Sequence, residues 1–344
     1  MIERVLAIET SCDDTSVAIV RRNGFVEALT SLNQDKVHKP FGGIVPEIAS
    51  RNHTLHLIEL IERALDQAKF SWTEIGGIVV TARPGLIGSL LVGVVTAKTL
   101  AWTKNLPFIG VNHLEGHLLA PFLKDAEYTP EKDFTYPYVA LAVSGGHSQL
   151  YEVLGLGEYK VLGRTLDDAA GEAYDKFAKL IGLDFPGGPR VDNLAQAGKV
   201  TVEFPRPMLK EDNFNFSFSG IKAAAARYLS GLSPAEIERE KHNLCASFQA
   251  AVTEVLIYKL SRAVKTYNAN KAVLTGGVSA NSHLRSEAAL WAKKNGIRLI
   301  VPPIRYCTDN AAMIGYAGIL RLNRGERSEQ DIKPLAESLK SDFA

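Results

Sequence analysis

Val139-Ala140-Leu141-Ala142-Val143-Ser144-Gly145-Gly146-His147-Ser148 opens with five apolar residues, turns through small polar ones, and leads into a second run ending at Val153. Strand, tight turn and returning strand read as a β-hairpin. The same layout begins the chain: Val5 to Ile8, the polar turn Glu9-Thr10-Ser11-Cys12-Asp13-Asp14-Thr15, and a strand from Ser16 to Val20. Two segments that each begin this way predict an internally duplicated α/β fold. The turns differ in chemistry. Ser144-Gly145-Gly146 has no bulky side chain, so its backbone N–H groups can meet an anionic ligand, although hairpins favour glycine in any case. The first turn carries hydroxyls and carboxylates. It can meet a phosphate or its metal ion, or serve only as a polar turn.

Between the hairpins, 33–51 reads as irregular, with Pro40, Gly42, Gly43 and Pro46. His53 to Ala68 has helical periodicity through Leu57, Ile58, Ile61 and Leu65. His38, His53 and His56 are taken as surface or core residues rather than ligands. A strand from Ile75 to Thr81, the turn Ala82-Arg83-Pro84-Gly85 and a helix from Leu86 to Trp102 follow. Gly88, Gly93 and Ala97 would let another backbone approach that helix. Phe108 to Val111 is the next strand. The charged stretch 124–137, with Pro130 and Pro137, marks a lobe boundary. The expected division is 1–133 as the first lobe and 134–309 as the second, with 310–344 packing back on the first.

After the second hairpin, Asp167 to Leu180 predicts a helix with Asp167 or Asp168 near its N-cap, and Asp175 lies on it. Phe185-Pro186-Gly187-Gly188-Pro189 is a rigid turn, after which Asp192 can cap a short helix. Phe214, Phe216 and Phe218 alternate with polar residues, suggesting a strand whose aromatic face belongs to the core rather than to stacked bases. Ser219-Gly220-Ile221-Lys222 leads into an alanine-rich helix, and a long helix is expected from Lys241 to Val264. Ala272 to Asn281 reads as strand, Gly276-Gly277, then helix start. Such glycines admit a flat ring or ribose, and Asn281 can hydrogen-bond it. A last helix spans Ala311 to Leu322. The tail, Arg321 to Lys333, should be exposed, with Arg321, Arg324 and Arg327 able to form a small basic patch.

At 344 residues the chain is long for one core, which favours two lobes. Its net charge of +1 carries no overall sign of nucleic-acid binding, so any such role needs a local patch or a partner. No apolar run has membrane length, and the start MIERVLAIET does not resemble a signal peptide. Cys12, Cys245 and Cys307, three and widely separated, suit a reducing cytoplasm.

His113 and His117 stand four apart in Val111-Asn112-His113-Leu114-Glu115-Gly116-His117. On a helix they share a face, and two imidazoles there can hold one metal ion. An ordinary pair of half-buried histidines has the same spacing. A zinc protease needs glutamate directly after the first histidine. Glu115 comes two positions after it, about 200° round the helix. Asp309, in Tyr306-Cys307-Thr308-Asp309-Asn310, is the expected third ligand. Two histidines and a carboxylate suit ferrous iron, and zinc also accepts them. Cys307 could compete as a ligand, and Asp309 could instead cap the helix that follows.

The stretches IETSCDDTSVAIV, GGIVPEIASR, HLEGH, VSGGHSQL, DDAAGEAYDKFAKLIGL, PGGP, FSFSGIK, LTGGVSAN and CTDNAAMIG together closely resemble the bacterial branch of the tRNA adenosine threonylcarbamoyltransferase family, formerly called O-sialoglycoprotein endopeptidase. One departure is Asp13-Asp14 in place of Asp-Glu. The resemblance implies an actin-like fold, shared with sugar kinases and heat-shock ATPases, with two RNase-H-like lobes around a nucleotide cleft. It implies transfer of threonylcarbamoyl from threonylcarbamoyladenylate to the exocyclic amine of the adenosine beside the anticodon, in tRNAs reading codons that start with A, with release of AMP. His113, His117 and Asp309 match the metal ligands, with iron(II) expected and zinc as the alternative. Ala142, Val143, Ser144, Gly145, Gly146, Asp175, Gly188, Asp192 and Asn281 match the adenylate-binding set. Asp13 is a candidate proton acceptor. The implied partners are a catalytically silent paralogue and a small ATPase, in the cytoplasm and away from membranes. The competing readings are a metal-dependent kinase or ATPase of the same fold, and a metalloprotease.

Overall fold

In the computed structural model, which describes residues 1–343, the two hairpins each become three strands. β1 (Arg4–Glu9) and β2 (Thr15–Arg21) continue into β3 (Val26–Leu32), whose alternating burial leaves one face half-exposed. In the second unit β6 (Tyr138–Val143) and β7 (Ser148–Gly155) continue into β8 (Glu158–Arg164). Both third strands mix polar and apolar residues on one face, Glu27, Leu29 and Ser31 in β3 and Lys160, Leu162 and Arg164 in β8, and the sequence reading does not predict them.

The chain divides into a unit of residues 1–134 with 305–344 and a unit of residues 135–304. In the first, α1 (Asp35–His38) and α2 (Pro46–Ala68) precede β4 (Ile78–Arg83), followed by α3 (Ile87–Lys104), β5 (Phe108–Asn112) and α4 (His113–Leu119). The second contains α5 (Ala170–Leu180), α6 (Gly187–Ala195), α7 (Ser219–Leu229), α8 (Pro234–Thr266), β9 (Lys271–Thr275), α9 (Ser282–Asn295) and β10 (Arg298–Ile300). α10 (Ile304–Cys307) and α11 (Ala311–Asn323) follow. The sheet orders are β3-β2-β1-β4-β5 and β10-β9-β6-β7-β8. Each has an antiparallel three-stranded half joined to a parallel half, β1 to β4 to β5 and β6 to β9 to β10. The duplication read from two hairpins therefore extends to the full strand order.

β1 is apolar without alternation because both of its faces are covered. Leu6 and Ile8 join the core built with α2 and α3, including Leu57, Ile61 and Val94. Val5 and Ala7 point the other way, into a core with Met313, Ile314 and Ile319 of α11. α11 lies close to the sheet through its glycines. A Cβ on Gly315 would come within 2.8 Å of Val20 Cγ2, and one on Gly318 within 2.2 Å of Val79 Cγ1. Val79 is fully buried on a central strand and β-branched, so it cannot swing aside. Gly318→Ala is therefore expected to destabilise by about 1–3 kcal/mol, the overpacking cost outweighing the roughly 1 kcal/mol gain in helix propensity. A calorimetric melting temperature several degrees lower is expected, and an unchanged or raised one would refute the close approach.

Several boundaries differ from the sequence expectation for local reasons. α2 begins at Pro46, not His53, with proline in the first turn where its missing N–H costs nothing. α8 begins at Pro234, not Lys241, behind a capping box of Ser233 and Glu236. α5 begins at Ala170, and neither Asp167 nor Asp168 caps it. Asp167 accepts hydrogen bonds from Ser217 and Ser219, while Asp168 pairs with Lys176 and Lys222. The Phe214–Phe218 segment forms only an isolated bridge from Phe216 to Thr165, and Phe216 and Phe218 are fully buried. Arg321 is drawn inward onto Glu115 and Glu326, while Arg324 and Arg327 lie on the exposed surface.

Candidate metal centre

α4 carries both histidines. Its N-cap is Asn112, whose Oδ1 accepts Leu114 N–H at 2.8 Å. All seven of its residues are buried. Glu115, on the far side from the histidine pair, receives the Arg321 guanidinium at 2.8–3.0 Å. This engagement leaves the glutamate no protease-like role.

Asp309 lies in the loop between α10 and α11. Asn310, not Asp309, caps α11 by accepting Met313 N–H at 3.0 Å. Asp309 Oδ1 is 3.3 Å from His113 Nε2 and 3.3 Å from His117 Nε2. Neither ring nitrogen of His117 has a hydrogen-bond partner, although the residue is 1% exposed. An orphaned buried imidazole is costly. Ligands about 2.1 Å from one ion stand about 3.0–3.4 Å apart at octahedral to tetrahedral angles, which matches both 3.3 Å separations. The three residues together fit a metal ion. Cys307 is fully buried and lies outside this group.

Glu9, at the end of β1, was read from the sequence only as part of a polar turn. It is fully buried, and its Oε2 lies 3.0 Å from His113 Nδ1. Thr81 Oγ1 also donates to Oε2, and Ser11 N–H donates to Oε1. With Nδ1–H pointed at Glu9, His113 Nε2 is the nitrogen that could take a metal ion, as in a carboxylate–histidine–metal arrangement. The sequence signal was a lone acid closing an otherwise apolar strand.

Burial pushes the Glu9 and Asp309 carboxyls up, but His113 outweighs it and holds both below the ordinary range. Burial opposes protonation of His113, and Asp309 and Glu9 overcome it and raise its pKa. For His117 burial prevails and lowers the pKa, keeping the ring neutral, the form a metal binds.

Asp13 and Asp14 add two carboxyl groups beside this set. Asp13 is raised by burial and by Asp309. Asp14 is pushed up to about 8 by burial, then by Asp13 and Asp309. Its Oδ1 accepts Asn33 Nδ2–H at 2.9 Å. An open cavity of about 750 Å³ reaches Asp14 and Asp309, with Asn33, Asp125, Arg305 and Thr308 in its lining. In the metal-free protein, folded Asp14 keeps its proton to near pH 8 while the unfolded chain loses it near 3.8. Its stability contribution is therefore full below pH 4 and is lost as pH rises through 8. Asp14→Asn should melt several degrees above wild type at pH 8.5 without metal, with the gap closing toward pH 5. Equal melting curves at both pH values would refute the shift.

The turn bearing Asp13 is held from α2. His53 Nε2 is 2.9 Å from Cys12 O, which makes it the donor, and Nδ1 then accepts Thr15 Oγ1–H at 2.7 Å. His38 reaches the same group through Gln34. His38 and His53 are thus buried, hydrogen-bonded core residues.

In the second unit, Ala142 and Val143 end β6, and Ser144 accepts His147 N–H through Oγ at 3.2 Å. A Cβ on Gly145, Gly146 or Gly277 would meet nothing within 4 Å, and one on Gly188 would only reach Tyr174 Cβ at 4.0 Å. Gly276 is different: its φ is +88° and a Cβ there would lie 2.3 Å from Val143 O. The polar members are already engaged. Asp175 Oδ1 accepts Gly187 N–H at 2.7 Å. Asp192 lies inside α6 rather than capping it, and accepts both Ser282 N–H and Oγ–H at the start of α9. Asn281 caps α9 through Leu284 N–H at 2.9 Å and donates to Gln249 Oε1 at 2.7 Å.

Residues 26–316 match the family model described as TsaD: tRNA N6-adenosine threonylcarbamoyltransferase. Proteins named tRNA N6-adenosine threonylcarbamoyltransferase are 59% identical in Bdellovibrio bacteriovorus, over the whole of both chains, and 49% identical in Trichlorobacter lovleyi, over 93% of this chain and 92% of that one. Among solved structures, T. kodakarensis HypF superposes with a TM-score of 0.63 at 12% identity, over 94% of this chain and 48% of that one. The activator of the 2-hydroxyisocaproyl-CoA dehydratase from Clostridium difficile superposes at 0.52 and 13% identity, over 95% and 99%. At such identity these two bear on the fold alone. With the repeated strand order, they identify it as actin-like.

Proposed function

Since the chain belongs to the tRNA N6-adenosine threonylcarbamoyltransferase family, we propose a site-by-site account of how it carries out that reaction. The protein is a transferase acting on adenosine N6 of tRNA. The proposal concerns donor, metal and residues. The donor is threonylcarbamoyladenylate, and the acceptor is the adenosine beside the anticodon in tRNAs reading codons that start with A. N6 attacks the carbamoyl carbon, the bond from that carbon to the adenylate phosphate oxygen breaks, and AMP leaves with the electron pair.

His113, His117 and Asp309 hold one divalent ion, iron(II) first and zinc as the alternative. The observation that carries this is the buried His117 ring, with no hydrogen-bond partner and Nε2 3.3 Å from Asp309. When bound, the ion supplies Lewis-acid polarisation of donor oxygen. Glu9 keeps His113 in the tautomer that presents Nε2. Asp13 accepts the proton released from N6, and burial and Asp309 raise its pKa.

The adenylate is held by Ala142, Val143, Ser144, Gly145, Gly146, Asp175, Gly188, Asp192 and Asn281 in two ways. Gly145, Gly146 and Gly188 offer open backbone. Asp175, Asp192 and Asn281 fix the starts of α6 and α9 that frame it. This is positioning and electrostatic stabilisation without a protein nucleophile.

A silent paralogue and a small ATPase complete the enzyme. Ile87, Leu91, Val95 and Trp102 form an exposed apolar stripe at helical spacing on α3, and Leu55 and Ile58 are exposed on α2, which packs against it. A surface of this kind favours a protein partner. No helix among the described residues is long and apolar enough to cross a membrane. The test is transfer in vitro, from synthetic threonylcarbamoyladenylate to tRNA in the presence of the partners. Mass spectrometry should find threonylcarbamoyladenosine, and its absence would overturn the account.

A further inference from the structure

The chain after α11 remains on the first unit. Ser328 N–H donates to Phe108 O at 2.9 Å, and its Oγ accepts Gly110 N–H at 3.0 Å. Lys98 Nζ donates to Ile332 O at 2.6 Å, and Leu335 N–H to Ala82 O at 3.0 Å. The segment thus runs as a strap along β5 from Phe108 to Gly110, reaches the carboxyl end of β4 at Ala82, and leads on to Asp342. That side chain is 8% exposed and receives both Nε and Nη2 of Arg83.

Asp342 also touches the residue that begins the metal helix. Asn112 Nδ2 donates to Asp342 Oδ2 at 2.8 Å and to Ser338 Oγ at 2.9 Å. Both amide hydrogens therefore have acceptors on the strap. This fixes which way the amide faces, leaving Oδ1 to accept Leu114 N–H. A flipped amide would set a donor against that donor. The orientation matters because α4 has only seven residues, too few to hold a helix without capping and packing. His113 is its first residue, and His117 follows one turn later.

We propose that Asp342 is a positioning residue for the metal centre: the C-terminal strap locks the Asn112 amide, which caps α4 and thereby holds His113 and His117 for the ion. The inference rests on the reading of His113, His117 and Asp309 as ligands. Arg83 is the counter-charge that keeps the Asp342 carboxylate ionised and in place.

The test uses the full chain, freed of metal, with zinc(II) titrated against a chromophoric chelator. Asp342→Ala is expected to weaken zinc binding by about 10- to 100-fold, the range for groups supporting metal ligands. Asn112→Ala should do the same. The double variant should be no weaker than Asn112→Ala alone, because both act through one amide. A strap with a merely structural role would lower the melting temperature and leave zinc affinity within twofold, which overturns the proposal. So would effects that multiply in the double variant. If Asp342→Ala does not fold by circular dichroism, Ser338→Ala carries the test. It removes one neutral acceptor and should weaken zinc about fivefold, the equivalent of one hydrogen bond. Failure of the wild-type protein to bind zinc or iron(II) would overturn the metal centre itself, whereas wild-type binding that these variants leave intact overturns the strap alone.

Discussion

His117→Ala is expected to cut threonylcarbamoyl transfer by at least roughly 10³-fold, the loss of several kcal/mol of transition-state stabilisation. The substitution removes a proposed ligand, and with it an imidazole whose Nε2 lies 3.3 Å from Asp309 without a well-formed hydrogen bond. The metal-free variant gives up the packing of the ring and this contact with Asp309. What should disappear is the rise in melting temperature that metal gives the wild type, since an ion bound only to the folded state stabilises by mass action. Turnover and metal-dependent melting are to be measured together. Full turnover in the variant would remove His117 from the site, and retained metal stabilisation with lost turnover would give it another role.

Gly145→Val addresses the other half of the reaction. A Cβ at Gly145 would have open space around it and Gly145 is not among the positive-φ glycines, so folding should tolerate valine with a melting temperature within about 1 °C. If the backbone there lies against the donor, two added methyl groups must displace it. A displacement of about 1 Å can cost on the order of 10²-fold in rate. We expect that loss to appear mainly in kcat/KM for threonylcarbamoyladenylate, with the KM for tRNA little changed. The neighbouring Gly276→Val is the contrast. It meets Val143 O at a positive φ, and it should fail by unfolding, whatever binds. Unimpaired transfer by Gly145→Val would take the Ser144–Gly146 turn out of the donor site.

The sequence carried the duplicated hairpins because β1 and β6 are buried on both faces, which forces unbroken apolar runs. β3 and β8 carry half-polar edges, and the helix starts at Pro46 and Pro234 depend on cap chemistry that precedes the apolar period. The grouping of His113, His117 and Asp309 was legible because helical spacing pairs the histidines, and because one carboxylate lies just before the last helix. Glu9 was hidden by its place at a strand end, where polar residues are ordinary. Its role emerges only when β1 is laid beside β4, and when the His113 ring reaches back to it. Asn281 and Asp192 have a structural part that the sequence did not show: Asn281 caps α9 and Asp192 accepts Ser282 N–H at its start.

The division of the first unit across the sequence has a consequence for synthesis. β1, β2, β4 and β5 leave the ribosome early, but α11, which covers one face of their sheet, is made after the whole second unit. At about 5–20 residues per second, the interval from Asn112 to Ala311 is roughly 10–40 s. Through that interval Val5, Ala7, Val20 and Val79 lack their cover, and His113 and His117 lack Asp309. A nascent chain halted before residue 305 should therefore be held by chaperones and bind metal poorly. Release of residues 305–344 both closes the core and brings Asp309 to the two histidines.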